Sequence, residues 1–445
     1  MEQAKEAAQI FTAGKDFTSA VDYESPTARK LLGGGKKKKA PYAWNPGVDV
    51  SRIGDKCIAL TDQNLYTSFD CNTGDTVDAQ FYFDDDQKSI ETLSAAHWRY
   101  DPVTDTHYDF ISSFGFPPFT ENTYKIWRLK KGKDGKETTE REFFAEIKGA
   151  NMSFVHSFHL TDKHIVFTRP PAHYSFFDLV FKHNTPYNAT FVDPAVPVKF
   201  HILDRETGKN IEEIDGNTWA EGYDSLSKST PFRGEGQGWF HSHTINAYDQ
   251  ADGTIVADYC GYPDMGIFYG DFLLNLIDNP GDYMKTILPA RLTRCVIDVA
   301  GKKNECRVML DKSFELPTYD MERRQGKNYR WVYAASAVGF ESDFVDQLVK
   351  VDLTTGKQVA EWHDHSGGHW FVNEPVFIAN PHGTAEDDGV LSCVVYDAAG
   401  DTSALLVLDA STFKELARVH LGVKVQAHFH GKFCKAYGDK TCVGL

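Results

Sequence analysis

Short β-rich runs separated by tight-turn signals recur along most of this 445-residue chain. Asp begins many of these turns and Gly follows within a few positions, as in 70–75, 204–208, 249–253 and 352–356. Asp starts such a turn with a local side-chain hydrogen bond, and Gly allows positive φ. The flanking runs, such as 163–168 and 403–409, are β-branched or apolar, which predicts strands joined as hairpins. A propeller or large barrel is predicted, although the repeats lack a fixed period that would count its blades.

Composition limits the classes of partner. Apolar residues make up 41% of the chain, enough for a large core, and a net charge of −16 argues against nucleic acid as a partner. The N-terminus has no signal-like apolar region and no apolar run is long enough to span a bilayer, which predicts a soluble, cytoplasmic protein. Eight cysteines without a CxxC pair are expected to be reduced, mostly structural thiols.

Three segments depart from the hairpin pattern. Residues 1–45 combine a possible amphipathic helix with a Gly and Lys run, which predicts an extension and linker before a domain at 46–445. Residues 173–184 and 265–277 are aromatic and compatible with helices. They either cover a core or form an apolar patch that enters a membrane interface.

Four of the 17 histidines lie in distinct strand-like settings, namely His97, His156, His243 and His430. Taken singly, a histidine is more often a core or surface residue than a metal ligand. Four imidazoles without a carboxylate or thiolate in the ligand set would suit a borderline divalent metal such as ferrous iron. Convergence of the four would therefore indicate a non-haem iron enzyme.

Acids in apolar surroundings strengthen the metal hypothesis. Glu315 and Glu374 each lie in a strand-like apolar run, and Asp62 is a third candidate with more polar neighbours. An unpaired charge there would be costly, and a metal-bound imidazole that donates its other N–H to the carboxylate removes that cost. A salt bridge to Arg or Lys is the alternative explanation.

Six stretches carry a resemblance to a known family: 96–102, 153–161, 240–249, 374–381, 386–392 and 429–431. In this order they resemble the carotenoid cleavage oxygenase family over about residues 45–436, most closely its animal-type branch of β-carotene oxygenases and retinoid isomerases. The resemblance implies an all-β, seven-bladed β-propeller with a helical cap on the face that carries the substrate entrance. The N-terminal segment that builds the family's first blade is not visible, so blade 1 is expected to be incomplete.

The resemblance also implies a metal site. The ligands of a ferrous ion on the propeller axis would be His97, His156, His243 and His430. His243 is favoured over His241, and His159 and His428 become neighbours rather than ligands. The carboxylates that hold the ligands would be Glu315, Glu374 and Asp62. Asp62 is one methylene shorter than the family's glutamate, so it would hold its histidine less well or through a water.

The implied activity is that of a dioxygenase. It would cleave a double bond of a carotenoid or apocarotenoid with O₂ to aldehyde or ketone products, in an aromatic-lined tunnel, as part of carotenoid and retinoid metabolism. Peripheral membrane association through 173–184 and 265–277 is expected, because such substrates reside in membranes. Three alternatives remain: a catalytically impaired carotenoid or retinoid binder, a retinoid isomerase, and a stilbenoid-cleaving relative.

Overall fold

A computed structural model describes the chain in residues 46–54, 56–85, 92–115, 119–130, 138–149, 151–175, 189–192, 196–216, 239–262, 289–338, 345–365, 370–425, 430–434 and 442–443. The predicted extension at 1–45 and the segment 265–277 lie outside these residues, as does most of 173–184. The boundary predicted between 45 and 46 stays a prediction.

The first half of the described chain forms three antiparallel sheets. Sheet 1 contains β1 (Asp49–Ile53), β2 (Lys56–Leu60), β3 (Tyr66–Asp70) and β4 (Thr76–Phe81). Sheet 2 contains β5 (Leu93–Ser94), β6 (Arg99–Asp101), β7 (Thr106–Ser113), β8 (Thr123–Leu129) and β9 (Glu142–Lys148). Sheet 3 contains β10 (His159–Leu160), β11 (His164–Arg169), β14 (Lys199–Asp204) and β15 (Asn210–Asp215), while β12 (Ala172–Tyr174) pairs with β13 (Thr190–Val192) beside it.

The second half repeats the same meander. Sheet 4 contains β16 (Phe240–Asp249), β17 (Thr254–Tyr262), β18 (Arg291–Asp298) and β19 (Lys303–Leu310). Sheet 5 contains β20 (Glu315–Thr318), β21 (Trp331–Ser336), β22 (Gln347–Asp352) and β23 (Lys357–His363), with the short helix α1 (Met321–Arg324) after β20. Sheet 6 contains β24 (Trp370–Val372), β25 (Val376–Ala379), β26 (Gly389–Asp397), β27 (Thr402–Asp409) and β28 (Glu415–His420). Finally, β29 (Phe433–Cys434) pairs with β30 (Cys442–Val443).

The predicted turn chemistry forms the hairpins. The Asp70 carboxylate accepts hydrogen bonds from the backbone N–H groups of Asn72 and Thr73 at 2.8 and 2.9 Å, and Gly74 adopts a φ of 77°. A left-handed φ of this kind costs Gly least, because it has no Cβ. The turn joins β3 to β4 within sheet 1.

The core consists of hydrophobic clusters between successive sheets. Alternate residues of a strand enter different clusters: in β11, Ile165 and Phe167 pack towards sheet 2 and Val166 packs towards sheet 4. This follows from the two-residue period of a strand, since both faces of a middle sheet are covered. Full burial of a side chain such as Phe167 stabilises the fold by roughly 1.5–3 kcal/mol.

The prediction of seven blades is wrong for the described residues. They form a β-propeller of six sheets, five clusters fill the junctions between consecutive sheets, and none of these clusters joins sheet 6 to sheet 1. After sheet 6 the chain contributes only the two-stranded β29–β30 pair within the described residues. The predicted helical cap is not shown by the described part, whose helix α1 has four residues.

The prediction of reduced cysteines is also wrong for two described pairs and for Cys434, which is disulfide-bonded as well. Disulfides join Cys57 to Cys71 in sheet 1, and Cys295 to Cys306 across β18 and β19. Cys260 and Cys393 are buried free thiols. As for membranes, no helix within the described ranges is long and apolar enough to cross one.

Candidate metal centre

Four histidines from separate parts of the propeller converge near its centre. His97 lies between β5 and β6, His156 precedes β10, His243 lies within β16, and His430 precedes β29. One ring nitrogen from each lies within 4.8 Å of the others. The ring centroid of His97 is 4.2 Å from that of His430, 4.7 Å from that of His156 and 5.0 Å from that of His243. The structure therefore brings together all four histidines that the sequence singled out.

The Nε2 atoms of these rings point at one another. The Nε2 atoms of His97 and His156 are 3.1 Å apart, and those of His243 and His430 are 3.2 Å apart. On the opposite side of three rings, Nδ1 faces a carboxylate. It is 2.8 Å from Asp62 in His156, 2.6 Å from Glu315 in His243 and 2.9 Å from Glu374 in His430.

This arrangement fixes the tautomer of the three rings. A carboxylate can only accept, so Nδ1 carries the proton and donates it. Nε2 of the neutral ring is then left with a lone pair that points into the centre. His243 and His430 both have a fixed tautomer, and their two Nε2 lone pairs, 3.2 Å apart, repel each other, whereas a cation between them would be attracted by both. The donor set therefore fits a metal ion.

Glu315 is held by several donors at once. Its carboxylate accepts from Tyr262 Oη at 2.6 Å, from the Leu316 backbone N–H at 2.8 Å and from Ser242 Oγ, in addition to His243. Burial alone would raise its pKa, but His243 and the hydroxyl donors outweigh burial and lower the pKa to about 2. Glu315 is thus a charged, fixed acceptor for His243 Nδ1–H.

The backbone beside Glu315 is strained. Leu316 has a φ of 50°, a left-handed conformation that is uncommon for a non-glycine residue, and the pairing of β20 with β21 shifts register between Glu315 and Thr318. This conformation lets the Leu316 N–H reach the Glu315 side chain. Strain of this kind persists where surrounding contacts enforce it, and it is concentrated at functional sites.

The other two carboxylates also bind backbone. Glu374 is only 3% exposed and its Oε2 accepts from the Gly431 N–H at 2.9 Å, next to His430 in sequence. Asp62 Oδ1 accepts from the Ala96 N–H at 3.2 Å, next to His97. Asp62 reaches His156 directly, so the shorter side chain does not need the bridging water that the sequence suggested.

Burial and neighbouring charges set the protonation of the four rings. Burial lowers the pKa of His97 well below its usual value, lowers that of His243 and lowers that of His430 to about 4. Burial would also lower the pKa of His156, but the charge and hydrogen bond of Asp62 outweigh it and raise that pKa. Neutral imidazoles are the form that binds metals.

Sequence reasoning missed Asp49, a fourth acid at the centre. Its Oδ2 lies 3.2 Å from Nδ1 of His97 and accepts from Lys432 Nζ at 2.8 Å. The available signal was an acid between two valines, Val48 and Val50, which is a charge in an apolar setting like those of Glu315 and Glu374. That acid is 3% exposed in the structure.

The remaining histidines singled out by the sequence stand apart from the cluster. His241 packs against Trp239 and Tyr259, and Nε2–H of His159 donates to the Asp258 carbonyl at 2.8 Å. His428 lies outside the described residues.

Aromatic rings flank the centre on one side. The ring of Phe154 stacks on His156 at 5.8 Å and on Phe240 at 6.2 Å, while Phe158 is fully buried in the core between sheets 2 and 3. Phe154, which is only partly buried, is therefore the ring that lies beside the centre, whereas Phe240 and Phe158 are fully buried and have packing roles.

Comparison with known proteins identifies the family. Residues 2–435 match the family described as retinal pigment epithelial membrane protein. The chain belongs to this family. Torulene dioxygenase of Fusarium fujikuroi is 28% identical over 373 residues, which cover 76% of this chain and 58% of that protein. The β,β-carotene 15,15′-dioxygenase of Gallus gallus is 25% identical over 427 residues, which cover 87% of this chain and 74% of that protein. The family prediction made from the sequence is therefore confirmed.

A solved structure supports the fold. The crystal structure of cobalt-substituted Synechocystis ACO aligns with a TM-score of 0.69 at 22% identity, and the alignment covers 88% of this chain and 74% of that one. The chain spans less than two thirds of the length of several curated relatives, for example 58% of torulene dioxygenase and 65% of a carotenoid cleavage dioxygenase 8 homolog of Oryza sativa.

Proposed function

We propose that this chain is a non-haem Fe(II) dioxygenase that cleaves a double bond of a carotenoid or apocarotenoid with O₂ to aldehyde or ketone products. The observation that carries the proposal is the convergence of four imidazoles, three of them with Nδ1–H tied to a carboxylate and Nε2 directed at the others. The names of the relatives, which are carotenoid dioxygenases and oxygenases, support the same substrate class.

His97, His156, His243 and His430 would hold the iron, which when bound supplies activation of O₂ for oxidative cleavage of a carbon–carbon double bond. The protein's own contribution is to orient these rings and keep them neutral. Glu315 and Glu374 are fixed acceptors for Nδ1–H, so each ring presents its lone pair in one direction. Such carboxylates also make the imidazoles better electron donors.

Phe154 gives the centre an apolar side. Its ring stacks on His156 and is backed by the buried ring of Phe240, so an apolar polyene would lie there without burying an unpaired polar group. Ring faces also favour positive charge that develops along a polyene. Positioning of the double bond by such walls supplies the orientation that this reaction requires.

The substrate class implies contact with membranes, because a carotenoid dissolves in lipid rather than water. We place that contact at 173–184 and 265–277, whose aromatic composition supports it. Phe177→Asp combined with Phe268→Asp should release the protein from liposomes. The matched control is Phe119→Asp, since Phe119 is 78% exposed and lies outside both segments. Equal liposome binding by the wild type and the double variant would disprove the patch.

The test of the metal centre uses two histidines of one strand. His243 belongs to the cluster and His241, two residues earlier in β16, does not, although both are buried. After anaerobic loading with ferrous iron and desalting, elemental mass spectrometry should find stoichiometric iron in the wild type and in His241→Ala, and little in His243→Ala. Cleavage of a detergent-dispersed carotenoid, followed by chromatography of the carbonyl products, should follow the iron content. Iron-loaded wild type without cleavage of any carotenoid or apocarotenoid would instead favour a binding protein.

A further inference from the structure

Asp49 and Lys432 form a buried ion pair beside the histidine cluster. Lys432 Nζ donates to Asp49 Oδ2 at 2.8 Å, and the side chains are 7% and 0% exposed. The other carboxylate oxygen of Asp49 accepts from the Val50 N–H at 2.6 Å. The pair connects β1 of sheet 1 to the segment 430–434, which are 383 residues apart in the chain. Buried charges are retained only when paired and hydrogen-bonded, and this pair satisfies both conditions.

The same carboxylate oxygen faces the centre. Asp49 Oδ2 lies 3.2 Å from Nδ1 of His97, whose side chain is 1% exposed. Lys432 is two residues after His430, so its ion pair also fixes the backbone that carries that ring. The rings of His97 and His430 are neighbours, with centroids 4.2 Å apart and planes at 89°. Asp49 therefore contacts the His97 ring directly and restrains the His430 ring through Lys432.

We propose that Asp49 is a positioning residue for His97, and that its ion pair with Lys432 sets the placement of His97 and His430 relative to each other. This inference rests on the metal centre proposed above. The contact of Asp49 with His97 is an electrostatic one at 3.2 Å, since His97 Nδ1 has no hydrogen-bond partner among the described residues, whereas Asp62, Glu315 and Glu374 accept hydrogen bonds from the other three rings. Unlike a carboxylate that serves one histidine, Asp49 shares its charge with an ammonium group, so loss of either partner should disturb the His97 side of the centre.

Cobalt binding provides a direct readout, because the visible absorption of Co²⁺ reports the number and geometry of its ligands. The variants are Asp49→Asn, which keeps the shape and removes the charge, and Lys432→Met, which keeps Asp49 and removes the ammonium. The control is Lys424→Met, which breaks a comparable 2.8 Å pair with Asp401 at the surface of sheet 6. We expect both test variants to weaken Co²⁺ affinity by about 10–100-fold and to change the absorption spectrum, and the control to change neither.

If the Asp49–Lys432 ion pair only stabilises the fold, the variants should behave differently. The substitutions would lower the thermal midpoint of the metal-free protein but leave the affinity and spectrum of the folded protein unchanged, and this outcome overturns the proposal. If Asp49→Asn does not fold, Lys432→Met and the conservative Lys432→Arg decide the question, because Lys432→Arg should restore the wild-type spectrum that Lys432→Met has lost. Absence of stoichiometric Co²⁺ in the wild type would overturn the metal centre itself, whereas tight binding unaffected by both variants would overturn only the role of Asp49.

Discussion

Replacement of Glu315 by glutamine removes one charge and keeps the side-chain shape. The carboxylate accepts from His243 Nδ1, Tyr262 Oη, Ser242 Oγ and the Leu316 N–H. A glutamine amide offers one oxygen and turns its NH₂ towards groups that are themselves donors. At least one buried donor would lose its acceptor, so the effect of Glu315→Gln should exceed that of the lost charge alone.

The pKa of Glu315 gives the magnitude. Contacts in the folded protein lower it from the ordinary value of 4.5 to about 2. At ~1.4 kcal/mol per pKa unit, this difference stabilises the folded state by ~3 kcal/mol when the carboxylate is ionised. Because the folded pKa is the lower one, the contribution is fully present above pH 4.5 and is lost as the pH falls towards 2.

Urea unfolding of the metal-free protein, at pH 7 with a chelator, measures this contribution of Glu315 to stability. We expect Glu315→Gln to lower the free energy of unfolding by ~3 kcal/mol or more and to lower metal affinity about 10–100-fold in a separate cobalt titration. Glu305→Gln is the control, since Glu305 is exposed on β19 and should change neither quantity. A Glu315→Gln variant as stable as the control would refute the reasoning, because the hydrogen bonds to the carboxylate would then not stabilise the folded protein.

Other substitutions test separate features. Asp62→Ala should weaken cobalt binding about 10–100-fold because His156 loses its acceptor, and an unchanged titration would contradict that role. Arg99 is 1% exposed and donates to the Phe158 carbonyl at 2.6 Å. Arg99→Met should lower the free energy of unfolding in urea by about 1–3 kcal/mol, and an unchanged value would contradict the importance of this contact. Burial lowers the pKa of His107 from 6.5 to about 4, so the unfolded chain binds a proton more readily than the folded protein does. The free energy of unfolding should therefore fall by up to ~3 kcal/mol as the pH drops from 6.5 to 4. His107→Phe should reduce that fall, and unfolding curves at pH 7 and 4.5 that shift as in the wild type would contradict the assignment.

The sequence predicted the features that depend on local chemistry. Turns such as 70–75 follow from Asp and Gly, and the strands follow from the two-residue alternation that the packing of β11 shows. The acids Glu315 and Glu374 were recognisable because a charge in an apolar run needs a partner.

Features that depend on distant pairing were not predictable in this way. The number of sheets could not be read from repeats without a fixed period. The role of Asp49 was not predicted because its partner Lys432 lies 383 residues away in the chain, and no local sequence pattern indicates that the two residues pair. The disulfide between Cys57 and Cys71 requires the register of neighbouring strands, which spacing alone does not give.

The long sequence separation of His97 and His430 has a consequence during synthesis. Sheets 1 to 6 are built from sequence-local hairpins that can form as the chain leaves the ribosome, since domains begin to fold during translation. A site that requires His97 and His430 together cannot exist until residue 430 has emerged, after the strands of all six sheets. Under the proposed function, iron would therefore bind only after the six sheets have been synthesised, and a nascent chain stalled before residue 430 would have an incomplete ligand set.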